Sequence, residues 1–163
     1  MSKDEQGAKR GTAPPRVVAA DELAGLVGRH LGHSRWHRVS QEQVERFAAV
    51  TGDRQWIHVD RKRAEASPLG GTIAHGYLTL ALGPALLKQI VRVEPASRVI
   101  NYGLNRVRFP SVVPVGSRVR LGAELDALER QDSYVQATYR LTFEVEGSEK
   151  PCCVAEVLFR YYV

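Results

Sequence analysis

The second half of the chain alternates apolar and polar residues with a period of two. Four such segments follow residue 95 and are rich in Val, Tyr and Phe, and turn signals separate them: "RVINYGLNRVRFP", "GSRVRLGAELDALER", "SYVQATYRLTFEVEG" and "PCCVAEVLFRYYV". This alternation is typical of half-buried strands. Because no helical segment separates the four strands, the pattern predicts an antiparallel meander.

The first half carries helical patterns instead. Ser40 and Gln43 form a capping-box pair ahead of a helix that Gly52 ends, and "ADELAGLVGRHLG" and "DRKRAEAS" indicate shorter helices before and after it. "HSRWHRV" indicates a first strand. The most apolar helix, "GYLTLALGPALLKQIV", begins at Gly76 and is predicted to be buried, with a kink or break at Pro84 near Gly83.

One buried helix and about five antiparallel strands predict an α+β fold in which the sheet wraps round a long central helix. The chain of 163 residues suits one domain. We assign that domain to residues 17–163. Residues 1–16, rich in charge, Gly and Pro, are predicted to be a flexible tail.

Charge and composition exclude several classes of protein. The formal net charge is +5, of which the predicted tail holds +2, so residues 17–163 carry only a scattered +3. Neither a basic cluster nor a nucleic-acid motif is present, which argues against nucleic-acid binding and leaves room for a small anionic ligand. The longest apolar stretch is interrupted and too short to span a membrane, and an export signal is lacking, so we expect a cytoplasmic protein. The adjacent Cys152 and Cys153 would point to opposite faces of a strand and are predicted to be unpaired.

The stretch "TGDRQWIHVD" carries the candidate chemistry. Asp53 and His58 lie five residues apart, and Trp56 and Ile57 between them would form an apolar wall. A carboxylate and an imidazole that share one water molecule can perform general acid–base catalysis. The backbone N–H of Gly76, at the start of the buried helix, would stabilise negative charge on a carbonyl oxygen, as an oxyanion hole does.

Spacing alone leaves other interpretations open. An Asp at a helix end is often part of an Asx-turn, with the histidine at the surface. Asp53, His58 and Asp60 lack a further metal ligand at suitable spacing, so we predict no metal site. His75 is interpreted as a structural residue that is hydrogen-bonded in its loop.

Two quoted segments together resemble a known family. "FAAVTGDRQWIHVDRKRAEAS" followed by "GGTIAHGYLTLAL" is similar to the MaoC-like dehydratases, the (R)-specific enoyl-CoA hydratase group with the hot-dog fold, and most closely to the subgroup that resembles nodulation protein N. The family pattern Gly-Asp-x-Asn-Pro-hydrophobic-His, then His-Gly, falls on 52–58 and 75–76. "INYGLNRVRFPSVVPVGSRVRL" also resembles the family's strand after the central helix.

The resemblance implies a role for each matching residue. Asp53 and His58 would be the catalytic pair and the Gly76 N–H the oxyanion donor, without a metal or a redox cofactor. Gln55 and Trp56 replace the family's Asn-Pro and, with Ile57 and Tyr77, are expected to line the substrate pocket. The larger Trp56 would narrow that pocket.

The resemblance also implies partners. The substrate would be an acyl-CoA thioester, and two copies of the chain would pair edge to edge as a homodimer. Arg106 and Arg108, which share one face of their strand, would meet the phosphates of coenzyme A, although a solvated strand face explains them equally well.

The expected activity is the reversible hydration of trans-2-enoyl-CoA to (R)-3-hydroxyacyl-CoA. Three alternatives stay open at this point: an acyl-CoA thioesterase, a non-catalytic acyl-CoA-binding or partner subunit, and a dehydratase that acts on an acyl group carried by a protein.

Overall fold

A computed structural model describes residues 14–163, which form a six-stranded antiparallel sheet, a separate pair of parallel strands and several short helices. The strands are β1 (Arg16–Val18), β2 (Arg29–His33), β3 (His37–Arg38), β4 (Val91–Val93), β5 (Arg98–Arg108), β6 (Arg118–Arg130), β7 (Val135–Val145) and β8 (Cys153–Tyr162). The helices are a 3₁₀ helix (Glu22–Leu26), α1 (Gln41–Thr51), α2 (Trp56–Val59), α3 (Arg61–Glu65), α4 (Gly76–Ala81) and α5 (Gly83–Leu87). None of these helices is long and apolar enough to cross a membrane.

The strand order of the main sheet is β2-β6-β7-β8-β5, with β3 also paired to β6. The α+β class is confirmed, and β6, β7 and β8 form the predicted meander. The prediction that all four long strands form one meander was wrong, because β5 pairs with β8 rather than with β6. After β5 the chain returns past the helices, where Ile73 and Pro114 form an isolated bridge, and enters the sheet on the other side of β7.

The predicted central helix is broken into α4 and α5. Pro84 lies in the first turn of α5, so the predicted break near Gly83 is confirmed. The predicted C-terminal end of the helix was wrong, since Val91 already belongs to β4, which pairs in parallel with β1. Thr79, Leu86 and Leu87 are buried on the side of the helix pair that faces the core, whereas Tyr77 on the other side of α4 is exposed.

The core lies between the helix pair and the facing side of the sheet. The largest fully buried side chains include Tyr139, Phe143, Leu121, Leu125 and Leu141, which alternate along β6 and β7 as the period-two pattern predicts. A Cβ atom at Gly83 would lie 3.4 Å from the ring of Phe143. This is van der Waals distance, so the start of α5 packs closely on the sheet and leaves little room for a side chain larger than a methyl group.

The capping pattern of α1 is present as predicted. The Ser40 side chain accepts a hydrogen bond from the Gln43 N–H, and the Gln43 side chain accepts one from the Ser40 N–H. Gly52 ends the helix in the left-handed conformation, with φ of 79°. Both ends of α1 are thus fixed locally, and Asp53 follows the C-terminal end directly.

The N-terminal part of the chain differs from its prediction in detail. Arg16, which we assigned to the tail, begins β1, and residues 1–13 lie outside the described part of the chain. The predicted first strand, "HSRWHRV", is divided between the last residue of β2 and the short β3.

Replacing Gly52 by alanine should destabilise the fold, because a Cβ atom in the left-handed region costs about 1–2 kcal/mol. Urea unfolding of Gly52→Ala should show a free energy of unfolding lower by about 1 kcal/mol. Gly25→Ala is the matched control, since φ of Gly25 is not positive and no atom lies within 4 Å of the added Cβ. Equal unfolding midpoints for the two variants would contradict this assignment.

Candidate active site

Three side chains from three separate segments meet beside the start of α4. Asp53 follows α1, His58 lies in α2, and His75 is the residue before α4. One carboxylate oxygen of Asp53 and one ring nitrogen from each histidine lie within 4.8 Å of one another. The structure therefore brings together the two predicted catalytic residues and adds a third residue that we had interpreted as structural.

His58 is held from both its ring and its backbone. Its side chain is buried, and Nδ1 lies 2.7 Å from the carbonyl oxygen of Ile73. Its own carbonyl oxygen accepts a hydrogen bond of 2.8 Å from the Gln41 side chain. The hydroxyl of Thr72 in turn donates to the side-chain oxygen of Gln41. His58 is therefore not the surface histidine of the alternative interpretation.

The protonation state of His58 follows from these contacts. Because Nδ1 donates its hydrogen to the Ile73 carbonyl, the neutral ring carries its lone pair on Nε2. Burial lowers the pKa of His58 below the ordinary 6.5, and the neighbouring His75 lowers it further, against the hydrogen bond to Ile73 and the charge of Asp53. His58 is thus available as a proton or hydrogen-bond acceptor near neutral pH.

Asp53 presents a carboxylate that is half exposed, with a side-chain exposure of 54%. Its backbone N–H donates to the hydroxyl of Thr51, and its Oδ1 lies 3.5 Å from the Gln55 nitrogen. This contact between the Asp53 side chain and the backbone nitrogen two residues later is typical of an Asx-turn, but at 3.5 Å it is too long for a strong hydrogen bond. The carboxylate therefore stays open to solvent and to a ligand.

His75 touches both members of the pair. Its ring stacks on that of His58, with centroids 3.7 Å apart and planes inclined by 24°. Its Nε2 lies 2.9 Å from the backbone carbonyl oxygen of Asp53, and the Phe47 ring lies on it at 4.9 Å. The loop hydrogen bond that we predicted is present. The stacking could not be predicted from the sequence, because that contact depends on how the segments pack.

A cavity of about 240 Å³ opens beside His58. Most of its wall is apolar, and Gly76 and His58 face it. The ring of Phe109 lies over Gly76, so a Cβ atom there would be 3.0 Å from two ring carbons. Cys152 also lines the cavity, and burial raises the pKa of its thiol to about 11. Both Cys152 and Cys153 are free thiols, as predicted.

The four residues predicted to line the substrate pocket do not line one common cavity in the structure. Ile57 lines this cavity, whereas Trp56 lies outside its wall, under the Arg63 guanidinium at 4.4 Å. Successive residues of a helix project about 100° apart, so Trp56 and Ile57 cannot share one wall. Gln55 is exposed at the start of α2, and Tyr77 lines a neighbouring cavity between α4 and the sheet.

A metal ion does not suit the Asp53, His58 and His75 cluster. Zinc lies in the plane of each imidazole ligand, about 2.0–2.1 Å from the nitrogen. Two rings stacked nearly parallel at 3.7 Å direct their lone pairs past each other rather than at one point. In addition, His58 Nδ1 and His75 Nε2 are already hydrogen-bonded to backbone carbonyls.

The two arginines predicted to bind coenzyme A lie on β5. Arg106 and Arg108 are both exposed, and Arg108 donates a hydrogen bond to the carbonyl of Val107. β5 is the edge strand of the sheet, and the register with β8 shifts between Leu104 and Arg106.

Comparison with known proteins identifies close relatives. Residues 22–145 match the model of the MaoC-like domain. The chain is 54% identical to 3-hydroxyacyl-thioester dehydratase Z of Mycobacterium tuberculosis, over 86% of this chain and 93% of the relative. It is 41% identical to nodulation protein N of Rhizobium meliloti, over 85% of this chain and 88% of the relative.

Solved structures agree with the fold. The (R)-hydratase from A. caviae involved in PHA biosynthesis superposes with a TM-score of 0.67 at 27% identity, covering 82% of this chain and 94% of that one. The hot-dog architecture implied by the sequence is confirmed.

The lowered pKa of His58 can be measured directly. In an NMR titration, the ring resonances of His58, assigned by their absence in His58→Gln, should show a midpoint below 6.5. The physical reason is burial, which disfavours the charged ring. A midpoint at or above 6.5 would mean that the ring is more hydrated than the structure indicates.

Proposed function

Because this chain belongs to the MaoC-like dehydratase family, we propose that it is a hydro-lyase that adds water reversibly to a trans-2-enoyl thioester and forms the (R)-3-hydroxyacyl thioester. One observation carries the proposal. The buried imidazole of His58 lines a largely apolar cavity together with Gly76 at the start of α4, and a carboxylate oxygen of Asp53 lies within 4.8 Å of a nitrogen of that imidazole.

A single water molecule fits between the two groups. Two hydrogen bonds of about 2.8 Å, made at the angle of a water molecule, span roughly 4.5 Å. The separation between an Asp53 oxygen and a His58 ring nitrogen, within 4.8 Å, is compatible with that span. Both groups accept hydrogen bonds, Asp53 as a carboxylate and His58 through Nε2, so they orient the water oxygen towards the cavity.

In the proposed reaction, one water proton reaches the α-carbon by way of Asp53 and the other stays on the new hydroxyl group. The water oxygen bonds to the β-carbon of the enoyl group while one water proton passes to the Asp53 carboxylate. The π electrons of the double bond move towards the thioester carbonyl and give an enolate. The proton on Asp53 is delivered to the α-carbon, and the second O–H, hydrogen-bonded to His58, stays in the product.

The enolate oxygen is stabilised by the N–H of Gly76. Backbone N–H groups in the first turn of a helix lack an acceptor within the helix. Gly76 is the first residue of α4 and borders the cavity. The Phe109 ring packs against the Cα of Gly76, and a Cβ atom there would press on this ring at 3.0 Å. Glycine at this position therefore keeps both the ring and the start of α4 in place.

We further propose acyl-CoA as the substrate class. The two relatives with hydratase or dehydratase names support the reaction, and the (R)-hydratase supports its stereochemistry. Arg106 and Arg108 are the proposed contacts for the phosphates of coenzyme A, because both are exposed and positively charged.

Hydration involves no net oxidation or reduction, so the proposed reaction needs no redox cofactor. The cytoplasmic location stays a prediction from the N-terminal sequence.

We also propose that the chain forms a homodimer through β5. This strand is at the edge of the sheet and exposes large apolar side chains, among them Val99, Ile100, Tyr102 and Leu104 with exposures from 41% to 54%. An exposed edge with apolar side chains favours pairing with another strand. A second copy of β5 offers the same edge in antiparallel orientation.

Hydratase activity should be visible as loss of the conjugated-thioester absorbance with crotonyl-CoA, a longer enoyl-CoA and the same acyl groups on a carrier protein. Asp53→Asn and His58→Ala should each lower turnover by at least ~10²-fold, the usual scale of general acid–base catalysis. Val50→Ala, a change of an exposed residue on α1, is the control.

A thiol reagent added in parallel separates the alternatives. Release of free thiol would identify a thioesterase, in which water attacks the thioester carbon. Absence of any reaction with every substrate would favour the non-catalytic binding subunit. Near-wild-type turnover of a folded Asp53→Asn or His58→Ala variant would remove that residue from the mechanism.

The dimer can be tested by changing its proposed edge. Light scattering after gel filtration should give twice the chain mass of 18.1 kDa for the wild type and a mass near 18.1 kDa for Ile100→Lys, because a charged side chain opposes strand pairing. Val50→Lys, which adds the same charge at an 88% exposed site, should stay dimeric. A dimeric Ile100→Lys would point to another interface.

A further inference from the structure

We propose that His75 is a positioning residue that sets the catalytic pair through two contacts, one to the backbone of Asp53 and one to the ring of His58. The proposal rests on the hydratase function above and names a residue that holds the catalytic pair in place. Its Nε2 also lies 3.9 Å from the Asp53 carboxylate, too far for a hydrogen bond.

The first contact fixes Asp53. Asp53 follows Gly52, and its local hydrogen bonds are a 3.3 Å bond from its N–H to the Thr51 hydroxyl and a 3.5 Å contact of its Oδ1 with the Gln55 backbone nitrogen. Both are long, so they restrain the carboxylate only weakly. The hydrogen bond from His75 Nε2 to the Asp53 carbonyl, 2.9 Å long, ties this loop to the residue before α4. It joins positions 22 residues apart, so the position of the carboxylate depends on α4 as well as on α1.

The second contact fixes the ring of His58. The bond from Nδ1 to Ile73 restrains one edge of the ring, but the ring can still pivot about that bond. The His75 ring, stacked at 3.7 Å and 24°, occupies one face and prevents this rotation. Phe47 supports His75 from another side, at 4.9 Å. Nε2 of His58 therefore keeps its direction towards the water site.

The His75 side chain thus sets the relative position of the two groups that accept hydrogen bonds from the catalytic water, the Asp53 carboxylate and the His58 ring. His75 is 3% exposed, and its Nδ1 is buried without a hydrogen-bond partner among the described residues. Leaving a polar atom unpaired in a protein interior is costly. An apolar residue that only filled the space would avoid this cost, so we infer that the histidine contributes through its Nε2 hydrogen bond and its stacked ring.

The pKa of His58 is a second measurable quantity, besides kcat, that depends on His75. Asp53 raises the pKa of His58, and His75 lowers it together with burial. Cys152, the other titratable group at the cavity, is neutral near pH 7 because burial raises its pKa to about 11. Removing the His75 imidazole should therefore raise the pKa of His58.

Two substitutions separate the two contacts. His75→Gln keeps an amide N–H near the position of Nε2 but loses the stacked ring, whereas His75→Phe keeps a ring and loses the donor. We expect kcat to fall by about 10²-fold in His75→Phe, the cost of a misplacement of about 1 Å, with KM within about threefold of wild type. His75→Gln should recover part of that loss, and the pKa of His58 should rise in both variants by NMR titration.

His33→Gln is the matched control, because His33 also lies against another histidine, His30, at 4.8 Å, but on β2. It should leave kcat and the His58 titration unchanged. Circular dichroism gives the folded fraction by which each kcat is divided. Wild-type kcat and an unchanged His58 pKa in folded His75→Gln would overturn the proposal, even if His75→Phe fails to fold.

The titration of His58 needs no substrate, which separates the two hypotheses. If the wild type hydrates no enoyl thioester but the His58 pKa rises in the His75 variants, the hydratase function fails while the positioning contact stands. If the wild type is active and neither variant changes kcat or the titration, only the positioning role fails.

Discussion

The close approach of Gly83 to Phe143 sets the depth at which the helix pair lies on the sheet. A Cβ atom at this position would still be at van der Waals distance from the ring, but a larger side chain would push α5 away from β7. The helix α4 would move with α5, because only Leu82 separates the two helices. The start of α4 carries His75 and Gly76, so the position of these residues relative to Phe109 and His58 depends on how closely α5 packs on the sheet.

Much of the fold was accessible from the sequence because its signals are local. The capping box at Ser40 and Gln43, the stop at Gly52 and the period-two alternation of β6, β7 and β8 all depend on neighbours in the chain. The position of β5 beside β8 was not accessible. Alternation says which side chains share a face, but it does not say which strand lies alongside, and four consecutive strands are compatible with more than one order.

In the candidate site, too, the residues that could be predicted are those with a local sequence signal, and the residues that were missed depend on distant contacts. The Asp53 and His58 pair was found because both residues lie in one short stretch with a family resemblance, and Gly76 because it opens an apolar helix. His75 and Gln41 were missed as parts of the site, since their roles depend on contacts across 17 to 31 residues. Trp56 does not line the cavity beside His58, because Trp56 and Ile57 are successive residues of the helix α2. Within a loop, adjacent apolar residues can share a wall, but within a helix they diverge.

The burial of Cys152 has a consequence for the chemistry of the cavity. An α,β-unsaturated thioester is an electrophile that thiolates attack at the same β-carbon that water would attack. Cys152 lines the cavity with His58, so a reactive thiolate there would be alkylated by the substrate. The apolar surroundings that raise the pKa of this thiol to about 11 keep it protonated and therefore unreactive. The cavity wall thus protects the protein from covalent capture of its own substrate.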